Sequence, residues 1–275
     1  MVGRKLDQQF PRHVPHVGQD RLRVEEFTVQ GDHRGGGRAV DGVSFSIRSG
    51  EILGIGGLQG SGNSQLLLGI FGALGRRARG KMWLDGRPVR IRRPRGAIDR
   101  GIAMLTNDRK ATGLVLSMSV VANITLAGLR RLSPGGWRRP AREVEASRGL
   151  GKSLNLRAAS LDMEVGALSG GNQQKVALCK WLQTDPKLLL LDEPTRGIDV
   201  GAKHEVYELM NEWTSRGIAI ILITSEMPEL LAMSDRILVM HRGRVTAELD
   251  RDQASAEQIL EAAMGKTVRN QGTSP

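Results

Sequence analysis

Two adjacent carboxylates, Asp192 and Glu193, close the apolar run Leu188 to Leu191. A short apolar run bounded by polar residues is what a parallel strand covered on both faces requires. Ligands of open α/β sheets bind beyond the carboxyl ends of such strands. There Asp192 can hold Mg2+, directly or through water, and Glu193 can orient or deprotonate a water. The bland alternative for these acids is an ordinary buried strand followed by a solvated turn.

A second stretch with chemistry in it is Gly57-Leu58-Gln59-Gly60-Ser61-Gly62-Asn63-Ser64. It follows the strand-like EILGIG and precedes a helical run from Gln65 to Gly72. Strand, glycine-rich loop and helix N-terminus together bind phosphate: backbone N–H groups converge on the anion and the helix dipole favours negative charge. The spacing matches the P-loop pattern at Gly57, Gly62 and Ser64, but Asn63 stands at the lysine position. The lysine would carry charge to the β- and γ-phosphates. A hydrogen bond to a charged group contributes about 1.5–3 kcal/mol, and Asn offers only a neutral donor. Nucleotide is therefore expected to bind through Gly60, Ser61, Gly62 and their neighbours, with slow γ-phosphoryl transfer. A third stretch, Leu168-Ser169-Gly170-Gly171-Asn172-Gln173, opens a helix expected over Gln174 to Gln183. Ser169 and the two glycine N–H groups suit an anion for the same reasons.

LSGGNQQ followed by LLLLDEPT resembles the nucleotide-binding domains of ABC transporters, and EPTRGIDVGAK is similar to the second ATP-binding half of the ribose-type monosaccharide importers. The resemblance covers nearly the whole chain. It implies a P-loop NTPase-type α/β fold, with a mostly parallel sheet, an antiparallel β region and a helical subdomain at about 113–167. It implies ATP and Mg2+ as cofactors, with Glu193 catalytic and with Ser64 and Asp192 on the metal. It places Gly57 to Ser64 in the P-loop, Asn107 in the Q-loop, Asp199 in the D-loop and Ser225 at the switch. Ser169, Gly170, Gly171 and Gln173 become the signature motif, which grips ATP held by an opposite half. The chain departs from that pattern at several points. Asn63 replaces the lysine, Asn107 the Q-loop glutamine and Ser225 the switch histidine. Only His33 stands between Phe27 and Phe45 where an aromatic would stack on adenine. A serine hydroxyl cannot carry positive charge toward the γ-phosphate as histidine can.

The elements that must position these residues follow the chain. Residues 1–20, with Pro11 and Pro15, read as a linker or arm, 21–265 as the ATP-binding domain and 266–275 as a tail. MVGR and FPRHVP resemble the segment joining the two halves of ribose-type proteins, so a first half is expected elsewhere. Strands are expected at Leu22–Val29, Ala39–Ile47, Ile102–Leu105 and Ile218–Ile223. Hairpins are expected around Asp85-Gly86 and Arg242-Gly243. Met118, Val120, Val121, Ile124 and Leu126 form either a docking face or, more ordinarily, a subdomain core.

Composition sets the outer limits. The 275 residues are 40% hydrophobic, enough for one large domain with a subdomain. The single cysteine, Cys179, excludes a disulfide framework and reads as a core residue. No apolar run reaches the length of a membrane span, so another chain must supply any membrane part. The net charge of +11 raises the question of nucleic acid, but the basic residues are scattered and aromatics are only 3%, so none is expected as a partner.

The resulting expectation is an ATP-binding ATPase component of a monosaccharide importer, peripheral on the cytoplasmic face of the inner or plasma membrane. Its partners would be a second ATP-binding half, transmembrane permease subunits and, indirectly, a solute-binding protein. The alternative is a non-catalytic half that only completes an interface. A soluble ATPase of DNA repair or translation has the basic charge alone in its favour.

Overall fold

The computed structural model describes residues 12–13, 17–31 and 37–266. The loop holding His33, most of the N-terminal arm and the tail lie outside the described residues.

Among the described residues the strands form two sheets. β3 (Ile52–Gly57), β6 (Ile102–Leu105), β7 (Leu188–Asp192), β8 (Ala219–Ile223), β9 (Arg236–His241) and β10 (Arg244–Asp250) build the central sheet, in the order β10-β9-β3-β8-β7-β6. Its pairings are parallel except for β9 with β10. β6, β7 and β8 are buried at every position, which is why they read as unbroken Leu, Ile and Ala runs instead of alternating ones. β1 (Asp20–Gln30), β2 (Arg38–Arg48), β4 (Ala78–Leu84) and β5 (Arg87–Val89) form a separate antiparallel sheet, ordered β2-β1-β4-β5. The hairpin at Asp85-Gly86 joins β4 to β5, as the sequence predicts.

Helix α1 (Asn63–Ile70) leaves β3 and buries Leu66, Leu67 and Ile70 between the two sheets. α2 (Pro94–Ile98) starts on its proline and leads into β6. The helical layer holds α3 (Val120–Leu126), α4 (Leu129–Leu132) and α5 (Pro140–Ser153), with α3 and α5 packed on α6 (Gly170–Leu182). α6 also packs on β6, so it links this layer to the central sheet. SVVANITLAGLRRL is two helices divided at Ala127-Gly128. Val120, Val121 and Ile124 are buried in the core and Leu126 is exposed, so this stripe is mainly a subdomain core. α7 (Val200–Ser215) buries Val206, Leu209, Met210 and Trp213 against the sheet. α8 (Met227–Met233) and α9 (Ala256–Ala263) cover the β9–β10 end.

Charged pairs lock the base of β3, at the end away from the loops. Glu51 is fully buried; it accepts the Arg48 backbone N–H at 2.7 Å and pairs with Arg236, which also bonds Glu248 at 2.7 Å. The Arg12 guanidinium reaches Asp235 at 3.0 Å and Thr214 at 2.9 Å, and Asp235 in turn accepts the Ile52 N–H at 2.8 Å. The arm is therefore docked on the core at Arg12. Removing one partner from a buried pair leaves the other charge poorly compensated. Glu51→Ala is expected to destabilise by about 3 kcal/mol and Glu51→Gln by less, read as shifts in the urea midpoint.

Candidate functional site

The ladder places the chemistry at one end of the sheet. Ile223 of β8 pairs with Ile55 of β3 on one side and with Asp192 of β7 on the other. The paired acids and Thr224-Ser225 therefore leave the sheet at one level, and the P-loop leaves it at the same end, two residues further along β3.

The P-loop turns through Gly62, which caps α1 at φ 101°, a left-handed conformation that a side chain would strain. Ser61 N–H bonds Leu58 O at 3.0 Å, and Gly243 N–H bonds Ser61 O at 2.8 Å, so the β9–β10 turn braces the loop. Gly60 has open space around it. Asn63 is the first helical residue, and the next, Ser64, hydrogen-bonds the Asp192 carboxylate.

Asp192 is 2% exposed. Burial pushes its carboxyl up to about 6, against the opposing hydrogen bond from Ser64. Asp192 Oδ1 and Asn63 Oδ1 are both buried without a hydrogen-bond partner among the described residues. A hydroxyl, a carboxylate and an orphaned carboxylate oxygen beside a phosphate loop suit a hard cation that completes its shell with phosphate and water. The residues thus fit Mg2+, which Ser64 and Asp192 would hold.

Glu193 sits at φ 54°, in the left-handed region. Its N–H bonds Ile223 O at 2.9 Å, and Ser225 Oγ donates to its Oε2 at 3.2 Å. The expected base and switch residue are therefore in contact. Sequence reasoning missed what fixes them. Glu229, fully buried, accepts from Thr195 at 2.7 Å and from Thr224 at 3.2 Å on a single oxygen. Burial raises its carboxyl to about 6. An acid in the first turn of a helix looks like a dipole partner, and that commonplace role hid this one.

Asn107 is exposed at the exit of β6, whose Leu105 pairs with Leu191 just before the acids. Beyond it the chain makes a one-turn π-helix, Arg109–Gly113, in which Asp108 accepts from the Ala111 N–H at 2.9 Å. Ser169 caps α6, which begins at Gly170, earlier than expected, because the cap serine satisfies the first turn. Both glycine N–H groups therefore lie in that turn. The Gln173 side chain turns inward, its amide bonding the carbonyls of Val165 at 3.4 Å and Leu168 at 3.1 Å. It shapes the approach to the turn from inside. Asp199 caps α7 by accepting from Ala202 N–H at 3.0 Å, and that bond holds its carboxyl below the usual range. Side-chain atoms built on Gly170 and Gly171 would meet Arg109, Gly197, Asp199 and Ala202, none of them in the P-loop. Cys179 is fully buried, with its thiol pushed up to about 12, so it is an inert core residue.

A glycine-rich loop after β3, a buried acid at the end of β7 and a separate glycine turn on a helical layer are the arrangement of an ATP-binding cassette. Residues 40–196 match the family model described as ABC transporter. The chain is 49% identical over 265 residues to the ribose import ATP-binding protein RbsA of Geobacillus kaustophilus (strain HTA426), covering 96% of this chain and 52% of that protein. It is 47% identical, with the same coverage, to the xylose import ATP-binding protein XylG of that organism. It thus spans about half the length of the curated relatives it matches. Among solved structures, the ADP conformation of MJ1267, an ATP-binding cassette of an ABC transporter, superposes with a TM-score of 0.72 at 25% identity, covering 90% of this chain and all of that one. The chain belongs to the ABC transporter family, as an ATP-binding domain.

The buried carboxyl gives a pH test. Asp192 has a folded pKa near 6 against an ordinary 3.8, so the folded state binds its proton more tightly than the unfolded chain. Stability from this group is present below the unfolded value and is lost as pH rises to about 6. Asp192→Asn is expected to equal the parent at pH 4 and exceed it at pH 7.5 by at most about 3 kcal/mol. Urea midpoints at the two pH values, without nucleotide or Mg2+, check this.

Proposed function

We propose that this chain is the ATP-binding component of an importer for a ribose- or xylose-like monosaccharide, peripheral on the cytoplasmic face of the membrane. It would work under separate transmembrane permease subunits, with a solute-binding protein delivering cargo. Sugar import is what the names of its RbsA and XylG relatives carry. No helix among the described residues is long and apolar enough to cross a membrane, which accords with a peripheral role.

Within that role the two functional surfaces divide. The chain's own site, Gly57 to Ser64 with Asp192 and Glu193, binds Mg-ATP and turns it over slowly. Ser169, Gly170 and Gly171 serve ATP held by a second ATP-binding half. The observation that carries this reading is Asn63 at the first position of α1, where a lysine would bring charge to the phosphates, together with an intact signature turn whose glycines have no P-loop residue among their nearest neighbours. In the chemistry of this site, backbone N–H groups and the α1 dipole hold the phosphates. Ser64 and Asp192 would hold Mg2+, which supplies charge neutralisation between phosphate oxygens when bound. Glu193 would take a water proton, with Ser225 orienting its carboxylate through the 3.2 Å hydrogen bond.

A second reading, a half that only completes an interface, is favoured by that same neutral Ser225 in the switch position. Mg-ATP affinity separates the two, since such a half shows no binding at millimolar nucleotide.

Restoring the charge tests the division. Asn63→Lys is expected to raise steady-state ATP turnover of the isolated chain at least tenfold, with about 1.5–3 kcal/mol of added phosphate interaction behind it. The unaltered chain is expected to stimulate an added first half. Strong turnover by the isolated chain that is indifferent to Asn63→Ala sinks the proposal.

A further inference from the structure

Arg109 leaves β6 in the one-turn π-helix and reaches two other elements. Its Nη1 donates to the Arg196 carbonyl at 2.8 Å and to Gln174 Oε1 at 3.3 Å; its Nη2 lies 3.4 Å from the Gly197 carbonyl. Gln174, on α6, in turn donates to the Pro194 carbonyl. One guanidinium thus bridges the helix that carries the signature turn and the backbone that runs from Glu193 to Asp199. Gly170 fits closely against this joint: a Cβ there would lie 3.1 Å from Arg109 Nη2 and 3.1 Å from Gly197 O. The far end of the same π-turn is fixed too, because the Lys180 ammonium of α6 donates to the Gly113 carbonyl.

The chemistry of the joint is unusual for a half-buried cation. Among the described residues no carboxylate forms an ion pair with Arg109, and its Nε is buried without a partner. Carbonyl and amide oxygens receive its hydrogen bonds, and the carboxylate of the preceding residue, Asp108, acts on it only through space. A planar fork suits this task, since several N–H groups leave one rigid plane in fixed directions. A lysine in its place would keep the charge and lose the geometry. The groups that Arg109 orients are the signature turn, Ser169 to Gly171, and the segment leading to Asp199.

We infer that Arg109 is a positioning residue that holds the signature turn and the Asp199 segment as one unit, and so acts on ATP bound by the partner half. The inference rests on the division of labour proposed above. Arg109 touches no nucleotide itself in this scheme. Its effect is expected in trans and not at the chain's own P-loop.

Mixed pairs of this chain provide the test. One copy, the acceptor, carries Asn63→Lys to restore its P-loop and Gly170→Asp to disable its own signature turn. The other, the donor, carries Glu193→Gln, so that turnover reports only the acceptor site facing the donor's signature. Adding Arg109→Gln to the donor is expected to lower kcat at least tenfold, with KM for ATP and the donor's own binding of a fluorescent ATP analogue within twofold. Arg109→Lys in the donor is expected to fall nearly as far. Turnover within twofold of the unaltered donor, or full recovery by lysine, overturns the proposal. A pair with the unaltered donor that shows no turnover overturns instead the reading of the signature on which it rests. In that case amide exchange in the isolated chain still decides the joint. Arg109→Gln is expected to speed exchange at 170–173 and 196–199 at least tenfold and to leave β7 unchanged; unchanged exchange at those segments overturns it.

Discussion

The parallel ladder through β3, β8 and β7 is the constraint on which the site depends. Ile223 stands between Ile55 and Asp192, so β7 and β8 end level, β3 runs two residues further to Gly57, and all three release their loops at one end of the sheet. In a strand, a slip of one residue sends every side chain to the other face. A slip in β7 would bury Glu193 in place of Asp192 and pull the carboxylate away from Ser64. The fully buried apolar rows of β7 and β8 oppose such a slip, because it would draw charged and polar neighbours into the core. Hydrophobic burial here fixes the position of an acid as well as the stability of a sheet.

That arrangement is costly where the acids emerge. Asp192 is buried with one oxygen unpartnered, and Glu193 holds a backbone conformation that costs on the order of 1–3 kcal/mol for a residue with a side chain. Both costs are what the proposed cation and phosphate site would ask of these residues. The unpaired oxygen and the raised carboxyl pKa express the same fact, a negative charge placed where only a positive partner would relieve it. Around Glu193 the strain is contained by neighbours. Thr195 and Thr224 bond the buried Glu229, so the segments after β7 and β8 are held together three residues and one residue past the end of each strand.

The strands and loops at this end were legible in the sequence because each has a local cause. Leu188 to Leu191 and Ile218 to Ile223 are apolar runs too short for membrane spans and too regular for loops, and Gly57 to Gly62 has the spacing of a phosphate loop. Boundaries set by side-chain capping were less legible. Ser169 starts α6 at Gly170, where two glycines suggest a later start, and Arg109–Gly113 makes a π-turn with no sequence signal of its own. The tertiary joints were not legible at all. Arg109 meets Arg196 and Gly197 across more than eighty positions, and Glu229 meets Thr195 across more than thirty. Periodicity reports which face of an element is buried, but not which distant backbone a polar group will find.

Those joints bear on how one chain can serve two sites. The signature turn and the acids lie in one polypeptide, joined by the segment from Glu193 through Gly197 to Asp199. Its near end contacts the switch serine, its middle receives Arg109, and its far end caps α7. A change at Glu193 on nucleotide release would have to pass this segment to reach the signature turn, and Arg109 ties its middle to α6. The route is short, and each of these links is a side-chain hydrogen bond. On the proposed division of labour, a half that turns over slowly at its own P-loop would still pass on whether its site is filled, through the turn proposed to serve its partner.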